Sequence, residues 1–169
     1  MIIDSHAHFV PQTLLEEIRD VISSFPSIKL VKFENSFGFS FSNSPSTRPV
    51  NIKLSDKLSR LSWMDNQLID LQVVGGWLDM FGYQIPIDEG IKWSKLINKH
   101  LKSFCDTSNN RFIPLATLPM QNGKAAAQLL DEVHKDGFKG VMIGTQPKGI
   151  GGVLDDKSLI PFWESANRN

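Results

Sequence analysis

The chain has few of the features that tie a protein to an oxidising compartment or to a charged partner. Cys105 is the single cysteine among 169 residues, so an intrachain disulfide is excluded. Lysine and arginine together number 18, as do aspartate and glutamate. Because these charges cancel, the sequence offers no broad electrostatic field for nucleic acid or for an anionic membrane.

Long apolar runs are also missing from the sequence. No stretch approaches the roughly 20 apolar residues that are needed to span a bilayer. The first six residues, MIIDSH, lack the basic flank and the apolar core of a secretory signal. We therefore expect a cytoplasmic protein with no nucleic-acid partner and no membrane partner.

The sequence does contain an alternation of short apolar runs with longer stretches of helical periodicity. Runs of strand length occupy residues 2–9, 71–74, 112–118 and 140–144. Apolar residues recur at helical spacing in 13–23, 58–68, 91–104, 124–135 and 157–167. Ser55 or Asp56 could cap the second of these helices. Strands that alternate with helices are typical of parallel βαβ units.

Residues 27–50 have a different character from the rest of the chain. Two β-prone runs lie on either side of Asn35 and Ser36, and Pro45 and Pro49 follow them. Such a pair of runs around a turn is typical of a β-hairpin. We predict that this segment is a hairpin inserted after the first strand.

Two architectures fit this order of elements: a small open α/β sheet, or the first half of a (β/α)8 barrel. Typical barrels have about 250 residues, so the second requires roughly half a domain beyond this chain. Residues 164–169 fall where a helix ends and a further strand would begin, which favours the barrel. The prediction is an α/β fold of the TIM-barrel type with only the first four or so βα units. Residues 1–169 would form a single partial domain, with 27–50 as its β insertion.

The motif with the clearest chemistry is a pair of histidines on the first predicted strand. His6 and His8 are two residues apart, and side chains at this spacing share one face of a strand. Imidazoles that converge in this way suit a divalent metal, most often zinc. The pair also lies at the carboxyl end of the strand, where active sites of parallel α/β folds are found. The alternative is a chance pair of surface histidines near the terminus.

Several segments together resemble one known family. Residues 4–8 (DSHAH), followed by Pro11, resemble the first-strand motif of the amidohydrolase superfamily, and the proline spacing is similar to the amidohydrolase-2, or aminocarboxymuconate-semialdehyde decarboxylase-like, group. Residues 111–121 (RFIPLATLPMQ), 137–145 (GFKGVMIGT) and 160–163 (IPFW) are similar to later segments of that group, in the same order. The resemblance identifies the chain as the N-terminal half of such an enzyme.

The resemblance carries expectations about the site. In this family both first-strand histidines hold the catalytic metal, so His6 and His8 are expected ligands of a divalent ion, zinc in the first place and manganese as the alternative. The other family ligands and the histidine of acid and base catalysis would fall beyond residue 169, so the catalytic residues are unknown here. Members of the group are often dimers, which makes a homodimer possible.

Arg48 is the candidate for binding the carboxylate of a small-molecule substrate. When residues 63–65 (WMD) are aligned with the family's Met-Asp segment, Arg48 takes the position of an arginine that binds a substrate carboxylate. A guanidinium group can hold a carboxylate through two hydrogen bonds, so the role is chemically sensible. A solvated loop arginine is the alternative.

The loop after the second predicted strand of the parallel sheet supplies candidate walls for the substrate. Residues 75–83 (GGWLDMFGY) contain Trp77, Phe81 and Tyr83, which could enclose an aromatic or unsaturated substrate. Packing of these rings beneath the mouth of the barrel is the alternative. The loop at 144–149 lacks a phosphate-binding fingerprint, so no nucleotide cofactor is expected.

Three further polar residues have structural roles that explain them adequately. His100 and His134 fall in predicted helices, one near an apolar stripe and one near a helix end. Asp4 has the strand parity of the histidine pair, so it could orient one of the imidazoles. A structural role for Asp4 is the alternative.

Three functions therefore follow from the sequence. The first is a metal-dependent carboxy-lyase, or decarboxylase, that acts on a small unsaturated or aromatic carboxylic acid. The second is a metal-dependent hydrolase of a lactone or amide on the same scaffold, since the fold does not decide between the two reactions. The third is a catalytically incompetent half-barrel, whose last strand at 140–144 would leave an apolar edge exposed.

Overall fold

The computed structural model describes residues 1–147 and 152–169, and a small parallel sheet lies at its centre. The sheet contains β1 (Ile3–His8), β4 (Leu71–Gly75) and β5 (Phe112–Leu115), in the order β1-β4-β5. Both pairings are parallel. A separate antiparallel pair, β2 (Ile28–Lys32) and β3 (Phe37–Phe41), forms the predicted hairpin.

Within the described residues, five α-helices connect and cover these strands, and their positions follow the predicted pattern closely. They are α1 (Gln12–Val21), α2 (Lys57–Asn66), α3 (Ile87–Asp106), α4 (Gly123–Lys135) and α5 (Ile160–Arg168). Helix α3 begins four residues before the predicted start, because its first turn carries Asp88 and Glu89 instead of apolar residues. Acidic side chains are favourable there, next to the positive end of the helix dipole.

Asp56 is the residue that caps α2. Its carboxylate accepts a hydrogen bond from the Ser59 backbone N–H at 3.0 Å and another from the Ser59 hydroxyl at 2.6 Å. The sequence left Ser55 and Asp56 open as alternatives, since both residue types favour this position. The carboxylate also has a lowered pKa, because these hydrogen bonds stabilise its ionised form.

The fourth predicted strand, at 140–144, is reduced to one bridge between Ala116 and Val141. Its direction is parallel as predicted, and the backbone of Ala116 bonds to both Gly140 and Met142 at 2.9 Å. Pairing does not continue, because the Gly144 N–H donates to the Tyr83 hydroxyl at 3.1 Å and not to a neighbouring strand. At this end of the sheet, a side-chain hydroxyl accepts the backbone hydrogen bond that a neighbouring strand would otherwise accept.

The hairpin is held against the helices by a column of aromatic rings. Phe37, Phe39 and Phe41 alternate along β3, so all three reach the same face, and all are buried. That face packs on the fully buried Trp93 of α3, whose ring centroid lies 5.7 Å from Phe39. The Trp93 indole N–H donates to the Met80 carbonyl at 2.6 Å, which ties α3 to the loop after β4.

A second apolar layer lies between the parallel sheet and helices α2 and α3. Phe9 stacks on Phe104 with ring centroids 3.9 Å apart, and Met64 and Leu101 are fully buried beside them. Cys105 is part of this layer, and burial raises the pKa of its thiol to about 12. The thiol therefore stays protonated at neutral pH and acts as a small apolar side chain.

Large apolar side chains remain exposed along the free edge of β1 and on the outer face of α2. Ile2 and Ile3 are about half exposed, Trp63 is 46% exposed and Leu58 is 78% exposed. Within the described residues, no helix has the length and apolar character needed to cross a membrane.

A substitution of Asn98 would test how strongly side chains hold the backbone just beyond β5. The Asn98 amide accepts from the Thr117 N–H at 2.7 Å and donates to the Thr117 carbonyl at 2.9 Å, and both residues are buried. We expect Asn98→Ala to lower the free energy of unfolding by about 2–4 kcal/mol, because two buried backbone groups lose their partner. Urea denaturation followed by circular dichroism measures this change.

The matched control for this prediction is Asn66→Ala, at the exposed end of α2. It should change the free energy of unfolding by less than about 0.5 kcal/mol, as is usual for surface positions. A loss of stability in Asn98→Ala no larger than in the control would contradict the assigned role.

Candidate active site

His6 and His8 lie at the carboxyl end of β1, next to the carboxyl end of β4. Their ring centroids are 5.0 Å apart, and the ring planes are nearly perpendicular, at 88°. Two imidazoles that bind one ion at 2.0–2.1 Å, with an angle between a right angle and tetrahedral, have centroids about 4.5–5.3 Å apart. The spacing of the two rings therefore suits joint binding of a single metal ion.

The orientation of His8 also suits a metal ligand. Its Nδ1 donates to the Gly76 carbonyl at 2.9 Å, since a carbonyl can only accept. The proton is therefore on Nδ1, and Nε2 keeps the lone pair that a metal requires. The two glycines at this end of β4 let neighbouring segments pack closely: a Cβ on Gly75 would lie 2.6 Å from Met142, and one on Gly76 would lie 2.8 Å from Thr117.

The two remaining histidines lie elsewhere. His100 is buried between α1 and α3, where its Nε2 donates to Glu17 at 2.7 Å and its Nδ1 shares a hydrogen bond of 2.8 Å with the Thr13 hydroxyl. His134 is exposed in the last turn of α4. Across residues 1–147 and 152–169, no three histidine, cysteine, aspartate or glutamate side chains form a group that could hold a metal ion.

Asp4 faces a different direction from the one that strand parity predicts. Asp4 pairs with Gln72 and Ala7 pairs with Val74, so β1 has one more residue than β4 between these two pairs. Such a bulge reverses the alternation of side chains. The Asp4 carboxylate accepts from the buried Gln72 amide at 2.7 Å, and Gln72 in turn accepts from Arg60 of α2 at 2.8 Å. These contacts favour the structural role for Asp4.

An open cavity of about 730 Å³ adjoins the histidine pair. His6 lies in its wall, together with residues of the hairpin, of the loop after β4 and of 142–146. His8 lies in the wall of a second cavity of about 590 Å³, between β1 and α2. The two imidazoles thus stand at the border of two open spaces, one beneath the hairpin and one along the free edge of β1.

The three aromatic residues predicted to enclose a substrate fall into two groups. Phe81 and Tyr83 lie in the wall of the His6 cavity, with ring centroids 5.6 Å apart. Burial raises the pKa of Tyr83, so its hydroxyl stays protonated. Trp77 is 6% exposed and lies in the apolar core with Trp93, beneath the hairpin. Phe81 and Tyr83 therefore line the cavity beside His6, and Trp77 does not.

Arg48 lies on the segment that follows the hairpin, and its guanidinium group already holds a carboxylate. Its Nε donates to Asp79 at 3.0 Å and its terminal nitrogen donates to the other Asp79 oxygen at 2.9 Å. The Asp79 carboxylate raises the pKa of Arg48. The guanidinium carbon also lies 5.7 Å from the centre of the Trp77 ring, within cation–π range. The fork geometry of Arg48 suits a carboxylate, and its partner in this state belongs to the chain itself.

Sequence reasoning missed Asp79, Gln72 and Arg60. Asp79 lies inside the loop that was predicted to border the site, and it is the one acidic residue in 75–83. An acidic residue in a loop that borders the site was the sequence signal that could have identified Asp79. Arg60 donates to the His8 carbonyl at 3.2 Å and to the Lys53 carbonyl at 3.0 Å, so it supports the strand that carries the histidines. No spacing in the sequence indicates this contact between α2 and β1.

Comparison with known proteins extends these observations. No family model matches the chain. A 2-amino-3-carboxymuconate-6-semialdehyde decarboxylase from Dictyostelium discoideum is 28% identical over 122 residues, which make up 72% of this chain and 33% of that relative. The chain thus spans about a third of the curated relative that it matches.

This chain also covers only part of the solved structures that share its fold. The apo form of the IDCase of Metarhizium anisopliae has a TM-score of 0.70 at 20% identity, over 98% of this chain and 47% of that one. A 5-carboxyvanillate decarboxylase from Novosphingobium aromaticivorans, with bound manganese and 3-methoxy-4-hydroxy-5-nitrobenzoic acid, has a TM-score of 0.70 at 22% identity, over 99% of this chain and 48% of that one.

These matches bear on two of the predictions from sequence. Nearly the whole chain superimposes on about half of each larger enzyme, which confirms the partial-barrel fold. The match to the curated decarboxylase confirms the resemblance that was drawn from the motifs. The chain therefore has the fold of about half of a (β/α)8 barrel, and it resembles the aminocarboxymuconate-semialdehyde decarboxylase-like group.

Proposed function

We propose that this chain supplies the first part of the active site of a metal-dependent decarboxylase for a small aromatic or unsaturated carboxylic acid. The observation that carries the proposal is the His6–His8 pair, with ring centroids 5.0 Å apart at the carboxyl end of β1. The similarity to a decarboxylase, and to an enzyme solved with an aromatic acid, supports the choice of substrate class.

His6 and His8 would hold a divalent cation through their imidazole nitrogens. Such an ion would act as a Lewis acid towards the substrate. The Gly76 carbonyl keeps the Nδ1 proton of His8 in place, so Nε2 stays available as a ligand. Manganese is bound in one similar enzyme, and zinc is the usual partner of paired imidazoles, so we propose either of these two ions.

The walls of the cavity would select and shield the substrate. Phe81 and Tyr83 offer ring faces to an aromatic or unsaturated acid, and their burial excludes water from that side. Arg48 would hold a carboxylate through its two donors, once Asp79 releases it. We propose that Trp77 does not contact the substrate but positions the Arg48 guanidinium, which packs over its ring.

Metal binding by the histidine pair can be tested on the chain itself. We expect added Mn²⁺ to broaden the imidazole NMR signals of His6 and His8 at lower concentrations than those of His100 and His134. Zn²⁺ added afterwards should restore the signals if it displaces manganese from the same nitrogens. Total metal per chain, measured by plasma mass spectrometry, gives the stoichiometry.

Two variants provide the controls for metal binding. His6→Ala/His8→Ala should lose the bound metal, whereas His134→Ala should keep it, because His134 lies exposed on α4, away from the pair. Equal broadening of all four histidines, or metal retained in the double variant, would contradict the assignment.

Two other functions remain as alternatives. A hydrolase on the same scaffold would use the same metal ligands, and the fold does not separate it from a decarboxylase. An incompetent half-barrel would have no competent site of its own and would show no turnover. A homodimer and a cytoplasmic location also remain predictions, the first from the resemblance and the second from the sequence.

An activity assay on the metal-loaded chain separates the three functions. A decarboxylase should release carbon dioxide from hydroxybenzoates or unsaturated dicarboxylates, and His6→Ala/His8→Ala should abolish this release while His134→Ala leaves it unchanged. Proton release from lactones or amides, without carbon dioxide, would identify the hydrolase. Bound metal with neither product would identify the half-barrel that needs a further segment.

A further inference from the structure

The Arg48–Asp79 pair joins two parts of the chain that both border the cavity beside His6. Arg48 follows the hairpin, and Asp79 belongs to the loop after β4. Two hydrogen bonds of 3.0 and 2.9 Å connect the guanidinium fork to both carboxylate oxygens. Asp79 lies in the cavity wall with His6. Its carboxylate already holds the guanidinium fork that a ligand carboxylate would bind.

The two partners differ in exposure. The Arg48 side chain is 74% exposed, whereas that of Asp79 is 20% exposed. Ion pairs with such an exposed member contribute little to stability, because water solvates the separated charges well. Exchange of one carboxylate for another on Arg48 is therefore inexpensive, and the charge of the arginine is satisfied both before and after.

The backbone around Arg48 is fixed, so an exchange would involve the side chains. The Thr47 N–H donates to the Phe39 carbonyl at 2.7 Å and the Val50 N–H donates to the Phe37 carbonyl at 2.9 Å. These bonds hold residues 47–50 along β3, whose phenylalanines are anchored on Trp93. Arg48 thus extends from a rigid edge, with the Trp77 ring 5.7 Å from its guanidinium carbon.

We propose that Asp79 is a specificity-determining residue that competes with the ligand for Arg48. A ligand binds Arg48 only if it has an anionic group with two acceptor oxygens that can replace the Asp79 carboxylate. A neutral group at the same position cannot displace Asp79, so the pair discriminates between acids and their uncharged analogues. This inference rests on the proposed function, because it takes the cavity beside His6 as the substrate site.

Binding of an unreactive aromatic dicarboxylate, benzene-1,2-dicarboxylate, tests the proposal, with the neutral benzene-1,2-dicarboxamide as the comparison. The Arg48 Nε–H signal in the ¹⁵N NMR spectrum reports exchange at the guanidinium directly. In the wild-type chain the dicarboxylate should shift this signal and the diamide should not. Asp79→Asn should tighten dicarboxylate binding by about two- to fivefold, the factor that corresponds to a weak exposed ion pair.

A double-mutant cycle separates competition from a general change in charge. Arg48→Gln should weaken binding of the dicarboxylate, and Asp79→Asn added to Arg48→Gln should give no further gain. Asp20→Asn removes the same charge from an exposed position on α1 and should leave binding unchanged.

Several results would overturn the proposal. These are unchanged or weaker binding in Asp79→Asn, an equal gain in the Arg48→Gln background, and no saturable binding by either wild type or Asp79→Asn. The measurement needs neither metal nor turnover, so it is independent of decarboxylation. A chain that releases no carbon dioxide can still show the competition, and an active chain can still lack it.

Discussion

The parallel pairing of β1 with β4, with one extra residue in β1, is the constraint on which the rest of the site depends. It brings the carboxyl end of the strand with His6 and His8 next to Gly75 and Gly76. The Asp4 carboxylate bonds to Gln72 of β4, which in turn bonds to Arg60 of α2, while the imidazoles stay together at the carboxyl end. Bulges re-aim side chains and occur often beside active sites, because they change the facing of a few residues without ending the strand.

Polar side chains hold this end of the sheet where strand pairing stops. Asn98 bonds both backbone groups of Thr117, the Tyr83 hydroxyl accepts from Gly144, and Arg60 donates to the carbonyl of His8. Each of these contacts joins a loop or a helix to backbone at or just beyond the carboxyl ends of the parallel segments. The fixed backbone at this end positions the cavity walls, and the two buried hydrogen bonds of Asn98 are the most costly of these contacts to break.

The hairpin contributes to the site through packing and through one charge pair. Its phenylalanines pack on Trp93, and this anchors the segment that carries Arg48 at the rim of the cavity. The same segment positions the guanidinium between the Trp77 ring and the Asp79 carboxylate. A rigid apolar contact on one side and a readily exchanged ion pair on the other suit a residue that must stay in place and still change partner.

The sequence by itself determined the element order, because apolar periodicity is local and each strand and helix carries it. It also predicted the hairpin and the family resemblance, and it indicated His6 and His8 as candidate metal ligands, because these features depend on residues close together in the chain. Only the tertiary structure decided four other features: the direction of the Asp4 side chain, the short fourth strand, the burial of Trp77 and the ion pair between Arg48 and Asp79. Their partners lie 31 residues away for Arg48 and 68 for Asp4, and no local pattern reports contacts over such distances.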